Sequence, residues 1–228
     1  MILYGASGHC KVIVDILEAK GVHIDFIVDD NPNLTELLGY EVRRNSRRYT
    51  EAIIAIGSCV VRKRVVNSIS VGRYLTAIHP SAIISPRSSI GDGSVVMQGG
   101  IVQSCAVIGK HCIVNTGASV GHDAVIGDYV HIAPHSTVTG AVEIGEGTWI
   151  GAGTVIKQGI KVGRWCMIGA GSVVVKDIPD GSLAFGNPCR IINKINEEQF
   201  MNNLDSKIGG GKLVSLFSNL LEERRLSA

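Results

Sequence analysis

The segment Gly5-Ala6-Ser7-Gly8-His9 stands where a short apolar strand, Ile2-Leu3-Tyr4, gives way to a helical pattern at Val12, Ile13, Ile16 and Leu17. A glycine-rich turn at such a junction offers backbone N–H groups and the positive end of a helix, and phosphate suits both. A second strand, His23 to Val28, ends on Asp29-Asp30, where a carboxylate is placed for a ribose or base hydrogen bond. Gly5-x-x-Gly8 is only part of a full dinucleotide signature, so a structural turn with a surface acidic pair is the competing reading. Farther on, Val120-Gly121-His122-Asp123 sets an imidazole directly before a carboxylate among small residues. A histidine alone on a surface is usually just solvated; the adjoining Asp123 singles this one out.

The elements that must hold the first cluster form a small α/β unit over residues 1–78. Strands are expected at Ile2 to Tyr4, His23 to Val28, Ala52 to Ile56 and near Tyr74 to Ile78, with a basic helix from Val60 to Ser68. This is a Rossmann-like βαβ pattern with a parallel sheet. It is too short for both halves of a dinucleotide fold, which argues against NAD.

The second cluster lies in a repeat. From Ile84 to Val174 an Ile or Val returns at every sixth position without a gap, through Ile90, Val96, Val102, Ile108 and onward. Neither helix nor simple strand periodicity gives that interval. Four residues on, mostly small residues recur (Ser88, Ser94, Gly100, Ala106, Cys112, Ala118, Ala124). Glycine often follows the aliphatic position (Gly91, Gly109, Gly121, Gly127, Gly145, Gly151, Gly163, Gly169), which suits turns needing permissive φ. The solution is a parallel β-helix with one short strand and one corner per hexad, three hexads to a coil and about five coils. A sandwich would not hold this phase over so long a stretch.

Composition bounds the rest. A formal net charge of +2 argues against nucleic acid or a membrane surface as partner. Six cysteines without C-x-x-C pairs read as buried small hydrophobes or weakly exposed thiols in a reducing compartment. With no basic, apolar leader at Met1 and no spanning apolar run, a soluble, cytoplasmic protein is expected.

Together, Tyr4-Gly5-Ala6-Ser7-Gly8-His9, Asp29-Asp30, Ile54-Ala55-Ile56-Gly57, the hexapeptide series and the closing Phe185-Gly186-Asn187-Pro188-Cys189-Arg190 resemble one bacterial family. It is the PglD/NeuD-like group of hexapeptide-repeat sugar acetyltransferases, and the resemblance runs from residue 1 to about 192. It implies a left-handed β-helix over 79–192, a nucleotide-sugar domain over 1–78, a homotrimer, and acetyl-CoA in a groove between neighbouring subunits. By motif, His122 matches the general base and Asp123 its orienting carboxylate, an Asp where the bacillosamine enzyme has Glu. His131 matches the histidine near the acetyl end of the cofactor, and Gly140 a glycine whose N–H could face the oxyanion. Ala152 and Ala170 match the cofactor groove, while Ser7, Gly8, His9, Asp29, Asp30 and Gly57 match nucleotide-sugar contacts.

The implied reaction moves acetyl from acetyl-CoA to the amine of a nucleotide-linked amino sugar, directly and with no metal. Histidine, which ordinarily titrates near pH 6.5, can take the amine's proton as the C–N bond forms. Three rivals stay open: sugar O-acetylation of the sialic acid type, a noncatalytic nucleotide-sugar scaffold, and a zinc β-helix enzyme binding metal through histidines of adjacent subunits, His122, His131 and His135. His111 and His135 are otherwise expected at the surface or an interface, and Lys157, Lys176 and Arg190 as solvated charges. Residues 193–228 form a tail, with an amphipathic helix expected from Leu213 to Leu221.

Overall fold

The computed structural model describes residues 1–195 and residue 200. The tail helix expected from Leu213 to Leu221 lies outside the described residues.

Strand β1 (Ile2–Tyr4) enters the first core and is followed by helix α1 (Gly8–Ala19), which buries Cys10, Ile13, Val14, Ile16 and Leu17 on one face. Strands β2 (Phe26–Val28) and β5 (Arg48–Ile54) flank β1 in parallel, with Leu3 opposite both Ile27 and Ile53. Between them, β3 (Glu36–Leu37) and β4 (Tyr40–Arg43) make an edge hairpin, giving the order β3-β4-β2-β1-β5 and, beyond β5, β6 (Ser70–Tyr74). That hairpin was not expected. Its turn puts Leu38 and Gly39 at φ 52° and 82°, a primed turn with leucine where glycine or asparagine would have announced it. Helix α2 (Cys59–Ser68) matches the basic helix and starts from Ser58, whose hydroxyl accepts from the Val61 amide.

Three strand expectations need correction. The second strand starts at Phe26 rather than His23, because pairing with β1 begins at Ile2↔Phe26. The third extends back to Arg48 because β6 pairs along it. The segment near Tyr74 splits, since Ser70–Tyr74 stays in the first sheet while Ala77–Ile78 pairs with Val95–Val96 as a first rung of the repeat.

From Ala77 the chain winds as a parallel β-helix of two-residue rungs. Val96 lies opposite Val114, Val102 opposite Val120 and Ile108 opposite Ile126, each eighteen positions on, so three hexads make one coil. The rungs stack into three walls of eight, six and five strands, the first counting two closing strands, Ser182–Phe185 and Arg190–Lys194. The second residue of each rung points inward and builds one continuous core from Val96 to Cys189. Burying one such side chain contributes roughly 1.5–3 kcal/mol, too little to order a lone coil but enough in a stack.

The glycines after the aliphatic positions serve a different purpose from the one expected. None has positive φ; a Cβ on Gly91, Gly121 or Gly145 would fall 2.6 Å from the backbone of the next coil. They allow coils to approach. Left-handed φ occurs two residues later, at Gly93, Gly99, Cys105, His111, Gly117, Asp123 and so on every sixth residue. Buried hydroxyls at the small corner positions (Ser94, Ser136, Thr148, Thr154) donate to glycine carbonyls such as Gly109 and Gly151, which satisfies groups the rungs leave unpaired.

The outward rows differ. On wall one Val95, Ile113, His131 and Met167 are covered by α1, α2 and the chain end, and Trp149 nearly so. Wall two presents Ile83, Ile101, Ser119, Thr137, Val155 and Val173, all uncharged, with Ile83 66% and Val155 40% exposed. Wall three carries Val107, Val125 and the Lys161–Glu143 ion pair at 2.9 Å.

Candidate active site

His122 and Asp123 form the corner between walls two and three. The corner puts Asp123 at φ 59°, a conformation aspartate tolerates better than most residues, and it brings the carboxylate back to its neighbour. His122 Nδ1 lies 2.7 Å from Asp123 Oδ2. Since a carboxylate only accepts, Nδ1 carries the proton and Nε2 keeps a lone pair. The shorter aspartate therefore reaches the ring. The backbone is held on three sides: the His122 N–H donates to Gln103 Oε1 at 3.1 Å, the Asp123 N–H to Ser104 O at 3.1 Å, and the Ala141 N–H to His122 O at 2.8 Å. Both side chains are more than half exposed.

Gly140 occupies the same corner one coil on. A Cβ there would lie 2.6 Å from His122 Cε1 and Nε2, so the glycine keeps clear the space beside the free nitrogen. Among the described residues no acceptor meets the Gly140 N–H. Ala152 and Ala170 are exposed at the corner between walls one and two, across wall two from His122 and Gly140. One chain does not bring these two pairs together.

His131 lies elsewhere. It is 5% exposed on wall one, and its Nδ1 donates to Gly57 O at 3.1 Å, which leaves Nε2 to accept from Asn115 Nδ2 at 3.1 Å. Burial, and then the charge of Arg62, press its pKa down to about 3, so the ring is neutral. Its ring centroid stands 4.1 Å from that of Trp149 and 6.5 Å from that of His9. His111, expected at a surface or interface, is 3% exposed at the seam between the two domains, stacked on Tyr129 at 5.3 Å. His135 is exposed. Among the described residues no group of three or more His, Cys, Asp or Glu side chains could hold a metal ion, and within one chain His122, His131 and His135 do not converge.

The predicted nucleotide contacts do converge, at the end of the first sheet where the turns after β1, β2 and β5 meet. Gly5, at φ 104°, packs so closely that a Cβ would sit 2.7 Å from Ile56, while Gly8 and Gly57 face open space. Ser7 is the α1 N-cap residue yet makes no capping bond, and no acidic side chain occupies that first turn. His9 Nε2 is buried without a partner, and burial pushes its pKa down to about 3. Asp29 is spent within the chain, accepting from the Ala6 N–H at 2.7 Å and the Asn31 N–H at 2.8 Å. Asp30 accepts from Tyr4 OH at 2.9 Å, and its remaining oxygen is the free acidic acceptor here. Sequence reasoning missed Arg62, Asn115 and Gln103, the residues that hold Gly57, His131 and His122.

Comparison with known proteins decides the family. Residues 1–69 match the PglD N-terminal domain, and residues 105–140 and 141–176 match the bacterial transferase hexapeptide repeats. The chain resembles the histidine-to-asparagine variant of perosamine N-acetyltransferase from Caulobacter crescentus, solved with CoA and GDP-perosamine (TM-score 0.79, 33% identity, 85% of this chain and 96% of that one). The chain belongs to the hexapeptide-repeat nucleotide-sugar N-acetyltransferase family. Membership fixes the hand of its β-helix as left. A second solved relative is the acetyltransferase domain of PglB from Neisseria gonorrhoeae FA1090 in complex with acetyl coenzyme A (TM-score 0.77, 32% identity, 84% of this chain and 98% of that one). UDP-N-acetylbacillosamine N-acetyltransferase of Bacillus subtilis (strain 168) is 38% identical over 107 residues, 42% of this chain and half the length of that relative. No helix among the described residues is long and apolar enough to cross a membrane.

Proposed function

We propose that the protein transfers acetyl from acetyl-CoA to the amino group of a nucleotide-linked amino sugar, with His122 as general base. The observation that carries this reading is the His122 ring, tied at Nδ1 to Asp123 and open at Nε2 beside Gly140. A neutral amine attacks the thioester carbonyl, and the new C–N bond forms as Nε2 takes the amine's proton. Asp123 stabilises the imidazolium that results, the Gly140 N–H is the donor nearest the growing oxyanion, and the expelled CoA thiolate recovers the proton. No nucleophilic side chain is needed.

Ser7, Gly8, His9, Asp30 and Gly57 hold the nucleotide end. An uncapped helix terminus beside a buried, unpartnered His9 Nε2 supports this, because a diphosphate and its sugar would satisfy both. Asp29 acts indirectly, by bracing the Gly5–Ser7 turn. Wall two supports a homotrimer: its outward row is uncharged, and only a neighbouring copy would set Ala152 and Ala170, as cofactor groove, against another chain's His122. His131, buried with both ring nitrogens occupied, acts from behind the site by holding the Gly57 turn rather than by touching the cofactor. Free cysteines, five of them buried, fit a cytoplasmic setting.

The deciding experiment follows thiol release from acetyl-CoA against a panel of UDP-, GDP- and CMP-linked amino sugars and sialic acids. Hydroxylamine-stable product from an amino sugar is expected. Ester product from a hydroxyl sugar would turn the reading to O-acetylation, and no thiol release with any acceptor would leave only a binding protein.

A further inference from the structure

Arg62, on α2, is 1% exposed and among the largest fully buried side chains of the molecule. Its guanidinium donates to four backbone carbonyls. Nε donates to His111 O at 2.7 Å, Nη1 to Ile56 O at 2.8 Å and Gly57 O at 2.9 Å, and Nη2 to Tyr129 O at 2.8 Å. None of the ion pairs among the described residues includes it. A buried charge without a counter-charge is an expensive way merely to fasten two domains, since well-packed apolar residues do that at least as well. What a guanidinium adds is a rigid, planar fork of donors with fixed directions.

Those directions select a meaningful set of carbonyls. Ile56 and Gly57 form the turn after β5 that lies in the nucleotide site. His111 and Tyr129 are corner residues of left-handed φ, eighteen positions apart, so they stand at the two ends of one coil. That coil carries His122 and Asp123. One side chain therefore grips the turn that meets the nucleotide sugar and both ends of the coil that carries the base.

We infer that Arg62 is a positioning residue for acetyl transfer, setting the height of the 56–57 turn along the prism relative to the coil bearing His122. The inference rests on the acetyltransferase reading above. Height is the coordinate that matters whether the His122 that meets a given sugar belongs to the same chain or to a neighbour lying alongside. His131 reinforces the same register by donating to Gly57 O from one wall over.

The test compares wild type with Arg62→Met, Arg62→Lys and Arg62→Ala, each rate expressed per folded active site. Arg62→Met should melt cooperatively and keep its KM for acetyl-CoA within about twofold. Its kcat/KM for the nucleotide amino sugar should fall about 10²-fold, the loss expected when reacting groups are misplaced by about 1 Å. Arg62→Lys, which keeps the charge but not the fork, should recover little of it. In Arg62→Ala, added guanidinium at millimolar concentration should restore turnover saturably, whereas methylammonium should not. A purely structural role would lower the folded fraction alone, leaving both KM values and the rate per site unchanged, and that result overturns the inference. If wild type acetylates no nucleotide sugar, the acetyltransferase reading fails separately. Amide exchange at residues 56–57 and affinity for UDP, GDP or CMP then decide, and no change in either on Arg62→Met rejects the positioning role.

Discussion

Wall one turns Val95, Ile113, His131 and Met167 outward under a lid of two helices, while wall two turns Ser119, Thr137 and Val155 outward, each still part-exposed or exposed among the described residues. Inside, the two walls obey a single rule of stacked Ile and Val. Each wall also places a histidine near the proposed chemistry, and the two histidines have opposite fates. His131 sits in a rung, buried, with both ring nitrogens occupied and its pKa pressed down to about 3. His122 sits two residues past a rung, exposed, with one nitrogen occupied and one open. A corner completes its backbone bonds to the coils on either side yet leaves a side chain room to react. The covered wall uses its histidine as a joint, and the uncovered wall leaves its histidine available.

The largest effect should come from the shared interior. Ile132→Asp places an unpaired carboxylate in a fully buried row and should cost several kcal/mol, abolishing the β signal in circular dichroism at room temperature. A variant with the wild-type urea midpoint would mean that the inward phase is misassigned on both walls. Next comes the exposed histidine. His122→Ala should lower turnover about 10²–10⁴-fold while calorimetry shows unchanged acetyl-CoA binding. Turnover close to wild type would remove His122 from the mechanism and dissolve the contrast.

Gly140→Ala sharpens the point with one methyl group. The added Cβ would fall 2.6 Å from the imidazole, so the ring must swing away from its present position. Gly140 has no positive φ, so the backbone should accept alanine and the melting temperature should move little. Turnover should nonetheless drop by about 10²-fold through misalignment. A fall in stability without a fall in rate would show that the space beside Nε2 is structural.

The interior was legible because each aliphatic position from Ile84 to Val174 meets the same surroundings, so the repeat reports its own environment. Glycine was legible as a marker but not as a cause, since close approach of coils and left-handed corners both select it, and only coordinates separate Gly91 from Gly93. The His122-Asp123 pair could be read because its partners are adjacent in the chain. Arg62 could not: its carbonyl partners His111 and Tyr129 stand 49 and 67 positions away. One local hint existed. On α2, Arg62 shares a helical face with Cys59 and Val66, an apolar row in which an arginine is out of place.

The smallest predicted effect concerns the covered seam and its response to acid. His111 and His131 are buried neutral, with pKa values lowered by burial first and by the Arg62 charge second, to about 4 and about 3. Below the ordinary histidine value near 6.5 the unfolded chain binds protons that the folded chain refuses, so stability rises with pH across that window. The contribution is complete above about pH 6.5 and is lost as pH falls toward 4. Each such group adds a slope of about 1.4 kcal/mol per pH unit. His111 offers a clean probe, because its ring stacks on Tyr129 and meets Tyr74 edge-on while its Nδ1 has no partner among the described residues. His111→Phe keeps the ring and removes the titration. Its urea stability should match wild type at pH 8 within about 0.5 kcal/mol and decline less steeply between pH 6.5 and 4.5. An unaltered slope would mean that this histidine is protonated in the folded protein, and the seam would then be wetter than its packing implies.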